Sequence, residues 1–159
     1  MTVPLIVDGY NLLFLFKRNP DHAAREALRN ELVRYASLKG RAVFLVFDGS
    51  ARGSGPSMLD SKGGVTLLYS SGRERADDLI RRLVRDRREV VVVTSDRELT
   101  RSVERLGAAV LSSHSFLTRL EQALESPEPS KFEEDEPEDS TPAPGHRNRP
   151  RRSAWLDGL

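Results

Sequence analysis

Three short runs of unbroken apolar residues constrain this fold more than any other feature. They are PLIV at Pro4–Val7, AVFLVF at Ala42–Phe47 and the four valines inside EVVVVT, Glu89–Thr94. Each has the length of a strand, and none alternates with polar residues as a strand with one wet face would. Such strands are buried on both faces, as in a parallel sheet covered by helices. Helical patterns lie between them. Residues 23–38 place Ala24, Ala27, Leu28, Leu32, Tyr35 and Leu38 on one face, and Gly40 stops that helix. Further helices are expected over about 72–87, over 97–106 before Gly107, and over 115–125. VTLLY (Val65–Tyr69) and AAVLS (Ala108–Ser112) add two strands, and residues 49–64 read as a long loop. The pattern predicts a three-layer α/β/α sandwich, doubly wound, with a parallel sheet of about five strands in residues 1–124.

Residues 125–159 follow different rules. They are rich in Pro, Glu and Ser and poor in large apolar residues, so burial cannot offset the entropy of ordering them. A disordered tail is expected, with Trp155 outside the core. The tail is acidic first and basic later. Residues 125–139 hold eight acids and one Lys, net −7, and residues 140–159 hold four Arg and one Asp, net +3. With +1 on the whole chain, residues 1–124 carry about +5, a mild bias toward a polyanionic partner.

Composition removes several chemistries. The chain has no Cys, which excludes disulfides, zinc–thiolate sites and thiol nucleophiles. His22, His114 and His146 lack the spacing of a zinc site. The apolar N-terminus has no basic segment and is interrupted by Asp8, unlike a signal peptide. No apolar run approaches the ~20 residues of a membrane helix. The expectation is a soluble cytoplasmic chain without a membrane partner.

In doubly wound sheets, sites form beyond the carboxyl ends of the strands. Three strands here end in Asp: Asp8 in LIVDG, Asp48 in VFDG and Asp96 in VVTSD. A further set comes from ERADDLI, with Glu74, Asp77 and Asp78. The apolar face of that helix is Ala76, Leu79, Ile80, Leu83 and Val84. At about 100° per residue, Asp77 falls on the flank of this face while Asp78 points away from the core. Glu74 lies near Asp77, one turn earlier.

Each acid alone has a local reading. Asp8 and Asp48 precede Gly, as turn residues do. Asp96 suits a helix start, Ser95 with Glu98 makes a capping-box pattern, and Glu74 can cap with Ser71. Together the acids mean more. Carboxylates gathered at one edge repel by ~4 kcal/mol per pair at about 4 Å, unless some protonate or a cation joins them. Oxygen ligands without His or Cys point to Mg²⁺ or Mn²⁺. Asn11 stands one turn beyond Asp8, placed to orient a ligand, water or phosphate. A carboxylate-held divalent cation suits hydrolysis of phosphodiesters by activated water.

VDGYN, VFDG, ERADDLI and VVTSD, in this order and spacing, resemble the YacP-like NYN family, relatives of the PIN-domain nucleases. The resemblance covers about residues 3–120. It implies a PIN-like sandwich and a metal-dependent endoribonuclease with Asp8, Asn11, Asp48, Asp77, Asp96 and Glu74 in its acidic site. Asp78 occupies a further acidic position. The resemblance also implies mRNA as substrate and a ribosome as a partner to test. On this reading Arg52 and Lys62, in the loop after Asp48, contact the RNA backbone, and Arg73 and Arg75 beside the acids bind phosphate. The competing reading is a PIN-like module that binds RNA or ribosome without cutting. A phosphatase with Asp8 as nucleophile is disfavoured, because Tyr10 stands where a second acid is wanted.

Overall fold

The structure, a computed structural model, describes residues 2–16, 19, 21–49, 59–71, 74–125 and 152–159. The chain enters through strand β1 (Leu5–Asp8) and turns directly into a short helix, α1 (Gly9–Leu15). Helix α2 (His22–Lys39) leads to β2 (Val43–Phe47), then β3 (Leu59–Lys62) and β4 (Val65–Tyr69) form a hairpin. Helix α3 (Ala76–Arg85), β5 (Val91–Val93), α4 (Arg97–Arg105), β6 (Ala109–Leu111) and α5 (Ser113–Glu125) complete the alternation. A 3₁₀ turn spans Arg152–Leu156.

The sheet order is β3-β4-β2-β1-β5-β6. Every pairing is parallel except that of β3 with β4. β1 lies in the middle, with Leu5 opposite Val43 on one side and Val91 on the other. Successive strand residues point to opposite faces, which divides the core in two. Leu5, Val7, Leu45, Phe47, Leu67, Val91 and Val93 pack toward α1, α2 and α5. Ile6, Val46, Leu68 and Val92 pack toward α3 and α4, against Leu79, Ile80, Val84, Leu99 and Val103. This is the three-layer α/β/α sandwich the apolar runs predict. Among the described residues, no helix is long and apolar enough to cross a membrane.

The differences from the sequence reading have local causes. The sheet has six strands rather than about five, because LDSK, inside the expected loop, forms an edge strand. Gly63 and Gly64 join it to β4, with φ of 55° and 82°. Two positive-φ residues in succession make the tight turn whose twist suits a hairpin. α1 was not anticipated. It begins at Gly9 without a linker, and a Cβ there would lie 2.3 Å from the Phe47 ring. At Gly49 a Cβ would lie 1.9 Å from the Ser70 carbonyl oxygen. Both Asp-Gly pairs therefore mark close approach of backbone to a neighbour, and neither glycine has a positive φ. The helix expected from 72 begins at Ala76.

Residues 152–159 depart from the expectation of a disordered tail; residues 126–151 lie outside the described residues. Trp155 and Leu156 pack against the α2/α5 layer, and Leu159 is buried. Arg119 donates to the Leu156 carbonyl at 3.0 Å, and Arg41 donates to the carbonyls of Trp155 at 3.5 Å and Asp157 at 3.4 Å. A few large apolar side chains suffice to order so short a segment on a preformed surface. Truncation after residue 151 is expected to lower the melting temperature by about 5–10 °C, the equivalent of a few kcal/mol of lost burial. An unchanged melting curve would show that the segment contributes nothing to the fold.

Candidate active site

Asp8 is the last residue of β1 and shares its direction with Ile6, toward α3 and α4. Only 9% of it is exposed. The Thr94 hydroxyl donates to its Oδ2 at 3.2 Å, and the same hydroxyl accepts from the Asp96 backbone N–H at 3.2 Å. Thr94 thus couples the end of β1 to the start of α4. Asp96 is the N-cap of α4, and its Oδ1 accepts from the Leu99 N–H at 3.0 Å. Asp96 is therefore the capping residue that the sequence reading sought in Ser95. Ser95 instead uses its hydroxyl to accept from the Ser113 N–H at 3.0 Å.

Asp77 completes the group from the first turn of α3. Burial is the main cause that raises its pKa; the charge of Asp96 adds to it, while Arg81 and Arg75 oppose it. Asp8 is pushed up from the ordinary 3.8 to about 6. Burial again dominates, the Thr94 hydrogen bond pulls the other way, and the charges of Asp77 and Asp96 add to the rise. The three carboxylates therefore act on one another across the ends of β1, α3 and α4. No Lys or Arg among the described residues pairs with Asp8.

The remaining predicted residues divide. Asp48, just past β2, accepts from the Ser70 hydroxyl at 3.4 Å, and that hydroxyl also accepts from the Gly49 N–H at 2.9 Å. Asn11 faces the acids from α1, but its Oδ1 accepts from the Ser95 N–H at 2.8 Å and from the Ser113 hydroxyl. That places it as a tie between loops. Glu74 pairs with Arg82 at 2.8 Å. Asp78 is exposed, accepts from the Arg75 N–H at 3.3 Å and pairs with Arg81 at 3.1 Å. The capping role expected of Glu74 at this helix thus falls to Asp78. Arg75 lies at the N-cap of α3, where its charge acts on Asp77.

Lys62 requires a correction. It pairs with Val65 at the start of β4, whereas Asp8 pairs with Val46 near the end of β2. The hairpin reverses the chain and leaves Lys62 at the opposite end of the sheet from the acids. Arg52 and Arg73 lie outside the described residues. Thr94, Ser70 and Ser113 were missed. Thr94 had a signal, its place between a valine run and Asp96; Ser70 and Ser113 had none.

The donor set suits a hard divalent cation. It is all oxygen, it is partly desolvated, and Asp8 has two acids as its charged neighbours. As they stand, however, no three His, Asp or Glu side chains among the described residues are grouped to hold a metal ion.

A mostly parallel sheet sandwiched between helices, with Asp8 at the end of its central strand and Asp96 at the start of the helix after β5, defines a PIN-like α/β/α protein of the nuclease-fold class. The match of a family model to residues 5–149 makes the assignment specific: the chain belongs to the YacP-like NYN domain family. It is similar to crystal structures of Rae1 (YacP) from Bacillus subtilis. The W164L mutant superposes with a TM-score of 0.65 at 25% identity, over 79% of this chain and 78% of that one. Another Rae1 structure gives 0.63 at 24% identity, over 79% and 76%. No curated protein matches the sequence.

The environment of Asp8 makes a prediction about stability. Because the folded state raises its pKa from 3.8 to about 6, the fold binds this proton more tightly than the unfolded chain does. The contribution is fully present below pH ~4 and is lost as pH rises through ~6, about 3 kcal/mol in all. In EDTA, Asp8→Asn should raise the melting temperature at pH 8 by several degrees, with the gain gone at pH 4. Parallel pH profiles for the two proteins would mean that Asp8 is well solvated.

Proposed function

We propose that the chain is a metal-dependent endoribonuclease that hydrolyses phosphodiester bonds of single-stranded RNA. The observation that carries this reading is the burial of Asp8 beside Asp77 and Asp96, with no basic partner among the described residues. An arrangement of this kind costs stability, and a cation among the acids offsets that cost. Asp8, Asp77 and Asp96 would hold Mg²⁺ or Mn²⁺, and Asp48, just past the end of β2, would join them. When bound, the cation lowers the pKa of water and offsets charge that develops on the phosphodiester oxygens.

The chain's own residues supply the rest. The Thr94 hydroxyl fixes the rotation of the Asp8 carboxylate through its bond to Oδ2. Asn11 keeps the segments that carry Ser95 and Ser113 against α1. Arg75, at the N-cap of α3 where its charge acts on Asp77, would hold a substrate phosphate. Asp78 and Glu74 engage Arg81 and Arg82 and shape the start of α3. Family membership supports RNA as the substrate class, with mRNA in the cytoplasm, free or on the ribosome, as the form to test.

The absence of a grouped three-ligand set among the described residues favours a second reading, an RNA- or ribosome-binding module without cleavage. A cleavage assay separates the two. Wild type and Asp8→Asn are incubated with unstructured and structured RNA, with Mg²⁺, Mn²⁺ or EDTA, and with or without ribosomes. Cutting by the wild type only, abolished by EDTA, is the expected result. Asp8→Asn should lose at least 100-fold in rate while its RNA affinity holds or rises, since a repelling charge is gone. Binding without cutting in every condition would establish the second reading.

Asp77→Asn should lose far more activity than Asp78→Asn, because only Asp77 shares the electrostatic environment of Asp96. The reverse order would place the site on the outer face of α3.

A further inference from the structure

Phe14 is 82% exposed, far more than the other large apolar side chains with notable exposure, Leu15, Leu38 and Leu106. Single exposed apolar residues are common and by themselves mean little. The position of this one is what matters. Helix α1 starts at Gly9, immediately after Asp8, and buries Gly9, Leu12 and Leu13. At about 100° per residue its outer face is formed by Tyr10, Asn11, Phe14 and Leu15. Asn11 reaches from that face to Ser95, which precedes Asp96, and to Ser113 at the start of α5. Phe14 stands one turn farther along the same face. Tyr10, half-buried and one position before Asn11, leans on Phe47 with ring centroids 4.9 Å apart. Lys17 and Arg18 follow in the sequence.

We infer that Phe14 is a stacking platform for one base of a single-stranded RNA whose adjacent phosphodiester lies at the acids. The inference rests on the RNA-nuclease reading and adds a binding residue to it. An aromatic ring is the side chain that single-strand binders use, because every base offers a π-face and the contact needs no particular sequence. The exposed ring projects from the segment that leaves the acidic edge, so a strand laid across that edge has a base to place on it. A rigid helix supports it, with Leu12 and Leu13 anchored in the core. Nothing in the fold requires an aromatic at this exposed position.

The test measures dissociation constants by fluorescence anisotropy, in EDTA, for a labelled unstructured RNA 12-mer. The proteins are full-length Asp8→Asn and the same variant carrying Phe14→Ala, Phe14→Leu or Phe14→Tyr. Removal of one base–aromatic stack should weaken binding about 5- to 100-fold. Phe14→Ala and Phe14→Leu should both show that loss, Phe14→Tyr should stay within a few-fold of the parent, and all melting temperatures should agree. Equal affinity for Phe14→Ala and the parent would overturn the stack while the RNA reading stands. Parent-like binding by Phe14→Leu would replace stacking by a plain apolar contact and so overturn it too. Loss of ribosome co-sedimentation with unchanged affinity for free RNA would instead make Phe14 a macromolecular docking residue. Failure of the parent to bind any RNA would remove the RNA reading and this inference with it.

Discussion

The burial of one carboxylate at the end of the central strand is the constraint on which the rest of the site depends. Asp8 cannot turn to water, because β1 is covered on both faces and flanked by β2 and β5. Among the described residues it has no Lys or Arg partner, and the charges that act on it are those of two further acids. What remains is the Thr94 hydroxyl, the Asn11 backbone N–H and a proton held more tightly than usual. A single short hydrogen-bonded chain, Asp8 to Thr94 to the Asp96 amide, thereby sets the spacing between β1 and α4. That spacing decides whether the acids can work together.

A second set of bonds holds the surroundings in register. The Asn11 carbonyl oxygen accepts from both Ser95 and Ser113, and Ser95 accepts in turn from the Ser113 amide. Three chain segments, after β1, β5 and β6, meet at this closed triangle. An amide oxygen can accept two hydrogen bonds at once and carries no charge to add to the repulsion. A carboxylate at position 11 would accept the same bonds and worsen the crowding of negative charge.

Much of this fold was legible in the sequence, and the exceptions have physical causes. Strands β1, β2 and β5 announce themselves because burial on both faces demands unbroken apolar runs. Helix α2 announces itself through its apolar stripe and the glycine that ends it, Gly40, at φ 59°. β3 does not, because an edge strand such as LDSK has little apolar surface to bury. The misplacement of Lys62 follows from that one omission. α1 has only two turns, too few for a period to show. Helical geometry separated exposed Asp78 from half-buried Asp77. It could not reveal that Glu74 would pair with Arg82, because the helix begins two residues after Glu74. Hydroxyl partners such as Ser70 and Ser113 leave no trace in hydrophobic periodicity. Trp155 looked solvated because its neighbours in sequence are polar, while its neighbours in space are the apolar α2/α5 layer.

The sheet order carries a consequence for how the protein acquires its shape. β1 precedes the other strands of the sheet along the chain, yet its partners β2 and β5 come from distant parts of it, with Leu5 opposite Val43 and Val91. Contacts so far apart in sequence form slowly, since the intervening loops must close before pairing repays the entropy. A nascent chain that stops short of β5 exposes one long edge of β1, an invitation to pair with another molecule. Asp8 meets Thr94 only when β5 has docked. Until then the acids have no common place to stand, and an incompletely folded chain cannot assemble the site early.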